Sequence, residues 1–308
     1  MKTDWVASSV RARAMARRRL GAGASRSIAA ELTLDAALSS LQGSSYADWL
    51  GHASGLAEAE RGIQESVLWQ VRVLAGWLPA SGTALARVAA GTFEIENIVA
   101  LARQLEGGPT APAPYYLGAL ATAWHNVSEA GSSEQLTAIL RTTPWGDVGG
   151  LAAGPLGAAL RVAWARRLLA LAPAARPWCG AMCVLTAARS LTVDGATAAP
   201  PLLHLLRPVI GRSWESAGSI GEFRDSLAPS LQKVVLDIAS PMELWRAEAQ
   251  AHSTVEKDGF RLLRGSLPGP DVVLGAIAVL SVDAWRVRAA LAAAAAGAGS
   301  SEVLDEAS

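Results

Sequence analysis

The sequence predicts an all-α protein, on three observations. Apolar residues recur at helical spacing, as in Val67, Val71, Leu74 and Leu78 with Arg72 on another face. Alanine and leucine, both strong helix formers, dominate the composition. β-Branched runs of strand length are scarce, and the best of them, Val234-Val235-Leu236, is too short to outweigh its surroundings.

Taken in order, residues 10–20 (VRARAMARRRL) read as a helix carrying Arg11, Arg13, Arg17, Arg18 and Arg19 along about three turns. Such arginines can reach acidic side chains or lipid head groups, or form a solvated face. The stretch LQGSSYADWL, with Leu41, Tyr46 and Asp48, precedes the helix that contains Val67 to Leu78. Residues 91–103 (GTFEIENIVALAR) form an amphipathic helix with Asn97 in its middle and Glu94 and Glu96 just before it. Asn is a poor helix-interior residue, so one flanked by Ile95, Ile98 and Leu101 is expected to make a tertiary hydrogen bond. Glu94 and Glu96 stand two apart and face different sides of the helix.

Leu117, Leu120, Ala121 and Trp124 continue the helical period, and residues 281–291 (SVDAWRVRAAL) give a last helix bearing Asp283. Of eleven tryptophans, Trp69, Trp77, Trp124 and Trp164 fall on apolar stripes and are expected in the core. The stretch from Gly297 onward is small and acidic, and disorder is expected there.

Breakers fall at Gly107-Gly108-Pro109, at Pro200-Pro201 with Pro208, and at Pro268-Gly269-Pro270. The first two divide the chain into helical bundles over residues 1–107, 108–207 and 208–308, although the length of 308 residues suits two larger domains as well. A faint repeat supports the thirds. Leu41, Tyr46 and Asp48 match Leu140, Trp145 and Asp147 at an interval of 99, and Glu94–Ile98 matches Asp283–Val287 at 189. The middle counterpart, residues 179–189, shares only its apolar period and terminal Arg.

Composition excludes several classes. The net charge is zero with 27 basic and 27 acidic residues, which argues against a dedicated nucleic-acid binder. None of the three lysines, Lys2, Lys233 and Lys257, follows a glycine, so no phosphate-cradling P-loop is present. Neither a His-Glu-x-x-His pair nor a Gly-x-Ser-x-Gly turn occurs. Cys179 and Cys183 are too few for a disulfide framework or a structural zinc, and read as small core residues. No cofactor is expected. The start, MKTDWVASSV, carries Asp4 and lacks the apolar core of a secretory signal, and no stretch reads as membrane-spanning, so a cytoplasmic location is expected.

The Glu94-Ile95-Glu96-Asn97 helix resembles the Asp/Glu-Ile-Glu-Asn-Leu helix of the central-stalk socket family of V-type and A-type rotary ATPases (ATP synthases), whose members go by the letters C and d. The order of the other elements is similar to that family: Arg11, Arg13 and Met15 in the N-terminal helix, Leu41 and Tyr46, the acidic-Asn helix ending near Arg103, and Asp283 near the end. Ala16 stands where the family has an acid, and Arg286 where its last repeat has Asn. The resemblance implies three pseudo-symmetric helical bundles forming a funnel. It further implies a non-catalytic component of the central stalk that binds the D and F proteins of the rotor shaft and rests on the proteolipid c-ring at the cytoplasmic face of the membrane. Nucleic acid and small-molecule substrates have no place in that role. A helical scaffold or adaptor unrelated to rotary motors would share the same helices and missing motifs. An isoprenoid-synthase-like enzyme is disfavoured, because the paired Asp-rich motifs that hold magnesium diphosphate are absent.

Overall fold

The computed structural model of the chain describes residues 2–150, 152–192 and 199–307, and among them helix is the only regular structure. The chain divides into two compact units, one formed by Met1–Thr83 with Glu248–Ser308 and the other by Ala84–Ala247. The first contains α1 (Val6–Arg17), α2 (Ala22–Ala29), α3 (Leu34–Ser40), α4 (Ala47–Leu50) and α5 (Leu56–Ala75). The second contains α6 (Thr83–Leu105), α7 (Trp124–Val127), α8 (Ser133–Arg141), α9 (Ala153–Leu171), α10 (Arg176–Thr192), α11 (Pro200–Ile210), α12 (Ile220–Ser226) and α13 (Pro229–Gln232). The chain then passes through α14 (Leu244–Leu263) and finishes the first unit with α15 (Pro270–Ala295) and α16 (Glu302–Glu306).

In the first unit α15 is the central element, packed against α1, α2, α3 and α5. Its sequence explains this position: Val272, Leu274, Val279, Val282, Val287 and Leu291 are all buried and together cover every side of the helix. Pro270 opens it at a position where the missing N–H costs nothing. The crossing of α14 and α15 is set by Gly259 and Gly275, since a Cβ on Gly275 would lie 2.6 Å from the Gly259 carbonyl oxygen. In the second unit α9 packs on α10, and α11 packs on both.

The boundaries expected at residues 107 and 207 both lie inside the second unit. Gly107-Gly108 does end α6: Gly107 has φ +84°, its N–H reaches the Gln104 carbonyl, and the Gly108 N–H reaches the Arg103 carbonyl at 2.9 Å. The unit continues because the chain after Pro109 returns along α6 and bonds to it. Pro200-Pro201, expected as a break, instead occupies the first turn of α11, and Pro208 is carried within that helix.

Three other expectations are corrected. Residues 117–124 are not a continuous helix but a single 3₁₀ turn, Gly118–Leu120, then a bend over residues 122–123, then α7. The N–H groups of Thr122, Ala123 and Trp124 are taken by Glu94 and cannot serve an i to i−4 ladder. Trp69 and Trp77 are 47% and 51% exposed rather than core. Trp69 meets Trp49 at a tilt, and Trp77 lies beyond the end of α5 under the Arg11 guanidinium. The large aromatics that are fully buried include Tyr46, Trp145, Trp214 and Phe223.

The C-terminal tail is also ordered over residues 301–307: Ser301 caps α16, and Leu304 and Ala307 are buried. Arg286 Nη2 donates to the Ala307 carbonyl, and Gln250 donates to Glu306. A short acidic tail therefore docks because a buried arginine and two apolar side chains hold it. No helix among the described residues is long and apolar enough to cross a membrane.

Candidate functional site: two buried carboxylates

Glu94 and Asp283 are both fully buried, each in the middle of a long apolar helix. A buried carboxylate is costly unless hydrogen bonds replace its hydration. Glu94 Oε1 accepts from the backbone N–H groups of Thr122 at 2.9 Å, Ala123 at 2.6 Å and Trp124 at 2.6 Å. These are donors at the entry of α7, which has no partner for them within its own turn. Asp283 accepts from the N–H of Leu20 at 2.9 Å and of Gly21 at 2.7 Å, where Gly21 is the residue preceding α2. Its third partner is the Tyr46 hydroxyl at 2.8 Å. Burial and, secondarily, the Asp283 charge push the Tyr46 phenol well above its ordinary range, so it stays a proton donor.

The two sites are alike: each carboxylate tethers its helix to the short-helix segment packed against it. The interval of 99 is repeated in hydrogen-bond detail. Ser44 Oγ donates to the Leu41 carbonyl and accepts from the Tyr46 N–H, while Thr143 Oγ1 donates to the Leu140 carbonyl and accepts from the Trp145 N–H. Leu41, Tyr46, Leu140 and Trp145 are all buried, whereas Asp48 and Asp147 are both exposed. Four short helices also begin alike, on Thr33, Ser132, Ser219 and Ser301, each accepting from the N–H three residues on.

Asn97, one turn after Glu94 and buried, does make tertiary hydrogen bonds. Its Nδ2 donates to the Tyr115 carbonyl at 3.0 Å and its Oδ1 accepts from the Tyr115 N–H at 2.7 Å. This pair of hydrogen bonds replaces a missing backbone partner for the extended segment, and Phe93 packs edge-on against the Tyr115 ring. Asn97→Leu removes both hydrogen bonds to the Tyr115 backbone, and a loss of about 1–3 kcal/mol is expected in urea denaturation. An unchanged midpoint would remove Asn97 from the support of this segment.

At the position 189 residues after Asn97 stands Arg286, only 2% exposed, paired with Glu256 at 2.5 Å. The remaining sequence-predicted residues are dispersed. Arg13 is a structural tie, donating to the carbonyls of Leu263 and Gly265. Met15 lines a surface cleft of about 500 Å³ with Arg18, Trp49 and Trp69. Arg11, Glu96 and Arg103 are exposed. Cys179 and Cys183 are buried core residues, with both thiols pushed up to about 12 by burial. Among the described residues no group of three His, Cys, Asp or Glu side chains is placed to hold a metal ion.

Sequence reasoning missed His252 and Arg167. His252 on α14 stacks on Trp285 with ring centroids 4.1 Å apart, and its pKa is lowered to about 4 by burial and by the charge of Arg286. The unfolded chain, with an ordinary histidine near 6.5, takes up this proton first as pH falls. Stability is therefore complete above about pH 6.5 and declines toward pH 4, by roughly 2–3 kcal/mol from this group. Thermal midpoints measured from pH 7 to 4 should fall less in His252→Gln than in the parent. Only the stacking partner, a tryptophan on another helix, could have signalled this histidine, and its distance in sequence hid it.

Comparison of the sequence with protein-family models and with curated proteins returns no match.

Proposed function

We propose that the chain is a non-catalytic central-stalk component of a V/A-type rotary ATPase, the socket that joins the rotating shaft to the membrane ring. The observation that carries this reading is the pair of equivalent buried carboxylates, Glu94 and Asp283, each taking backbone N–H groups at the entry of the next short helices. It is supported by the matching Leu41–Tyr46 and Leu140–Trp145 turns. These recurrences favour three pseudo-symmetric helical bundles arranged as a funnel, with the middle bundle lacking the carboxylate. A body tied internally by buried hydrogen bonds is suited to transmitting torque, because such ties resist shear without demanding a greasy partner surface.

In this reading the funnel receives the tip of the shaft formed by the D and F proteins, and its other end meets the cytoplasmic loops of the proteolipid ring. The chain itself neither binds nor hydrolyses ATP. Reconstituted ring and shaft should associate in pull-down only when this chain is present, and the purified chain should leave ATP unchanged. Glu96 lies on the exposed face of α6, and Glu96→Lys should weaken that association several-fold with an unchanged unfolding midpoint. If ring and shaft associate equally well without the chain, or if it binds neither, the reading of a helical scaffold unrelated to rotary motors replaces this one.

A further inference from the structure

We propose that the cleft between α6 and α9 is a binding site for a small phosphate monoester. It lies wholly in the second unit, has a volume of about 560 Å³, and is lined by Arg87, Thr122 and Arg167 with apolar walls that include Val88 and Leu171. This volume falls within the range of small-molecule sites and exceeds what inorganic phosphate alone needs. Two guanidinium groups face the cleft and no carboxylate lines it.

Both arginines are short of acceptors. Arg167 lies over the Trp145 ring at 4.8 Å and donates through Nη2 to Thr122 Oγ1 at 3.2 Å, but its Nη1 is buried with no hydrogen-bond partner. Among the described residues Arg87 makes a long contact, Nε to the Ala119 carbonyl at 3.4 Å. A guanidinium has five N–H donors, and leaving one buried and unpaired is costly. Glu94 attracts Arg167 electrostatically, yet its oxygens are occupied by the N–H groups of Thr122, Ala123 and Trp124 and it makes no hydrogen bond to the guanidinium. Among the described residues no acceptor reaches Nη1, and an oxyanion in the cleft would supply one.

A phosphate oxygen pair matches the fork geometry of arginine, and the dianion suits two such groups. Nη1 itself is closed to solvent, so the proposed ligand engages it as the Arg167 side chain shifts toward the cleft. The apolar walls, Ala84, Val88, Ala170 and Leu171, would then cover the organic part of the ester. A soluble phosphate ester and the head group of phosphatidic acid share this chemistry. The site rests on the second unit alone and stands independently of the rotor reading.

The test uses the full chain with phenyl phosphate at ionic strength matched by sodium chloride, and in parallel vesicles of phosphatidylcholine with and without phosphatidic acid. Saturable binding of phenyl phosphate with a raised unfolding midpoint is expected, weakened about tenfold or more in Arg87→Gln and in Arg167→Met. Arg87 is exposed, so Arg87→Gln folds even if the loss of the Trp145 stack disturbs the second variant. Flotation only with phosphatidic acid, lost in Arg87→Gln and without phenyl phosphate binding, assigns the same site to a lipid head group. Binding to neither probe, or binding undiminished in Arg87→Gln, overturns the proposal.

Discussion

Glu94→Ala should bring the second unit close to unfolding at room temperature. The substitution leaves the N–H groups of Thr122, Ala123 and Trp124 without the acceptor that now serves all three. The Ala123 donor is buried and those of Thr122 and Trp124 are half-buried; a stranded donor costs about 1–3 kcal/mol when buried, and bonds to a charged acceptor lie at the upper end of their class. A total loss of roughly 3–6 kcal/mol is comparable with the whole stability of many domains. Glu94→Gln keeps one carbonyl oxygen in place and should lose about half as much. Urea titrations followed by tryptophan fluorescence and by circular dichroism check this together, and a shared midpoint for Glu94→Ala and the parent would show that the carboxylate does not support α7. Because Arg167 loses its attraction to Glu94 in the same variant, the effect should exceed that of Asn97→Leu on the same helix.

Asp283→Ala should destabilise the first unit by about 3–5 kcal/mol, for the same physical reason. Here the stranded donors are the N–H groups of Leu20 and Gly21 and the Tyr46 hydroxyl. Tyr46→Phe alone removes one hydrogen bond and leaves Asp283 its two backbone donors, so a loss of about 1–2 kcal/mol is expected. The pair should be strongly non-additive. In the Asp283→Ala background the hydroxyl has already lost its acceptor, and Tyr46→Phe should then cost little or become stabilising. Additive losses across that double-mutant cycle would mean that the Tyr46–Asp283 bond contributes nothing of its own.

Glu94 and Asp283 are also where sequence and tertiary structure meet. Their spacing of 189 residues, their apolar helices and the family-like order of elements were all visible in the sequence. What each carboxylate does was not visible. An acid on an apolar helix reads equally as a partner contact, a buried ion pair or a cap. Only the return of the 115–124 segment along α6, and of α2 along α15, supplies the backbone donors that decide the matter. The same is true of the error at residues 117–124, where a helical period was overridden because a glutamate 28 residues upstream competes for the N–H groups the helix would use.

By itself, then, the sequence determined the helical class and the positions of most long helices, because local spacing and the propensities of Ala and Leu act over a few turns and need no distant partner. It also determined that Asn97 must find a tertiary partner, since its helix could offer none. The tertiary structure alone decided the partition into units, in which chain ends far apart in sequence share one core around α15. It alone decided the exposure of Trp69 and Trp77, the docking of the tail on Arg286, and the unpaired Arg167 Nη1 beside the cleft. Those outcomes depend on which surfaces meet across long stretches of chain, and an amphipathic period says that a face is buried without saying against what.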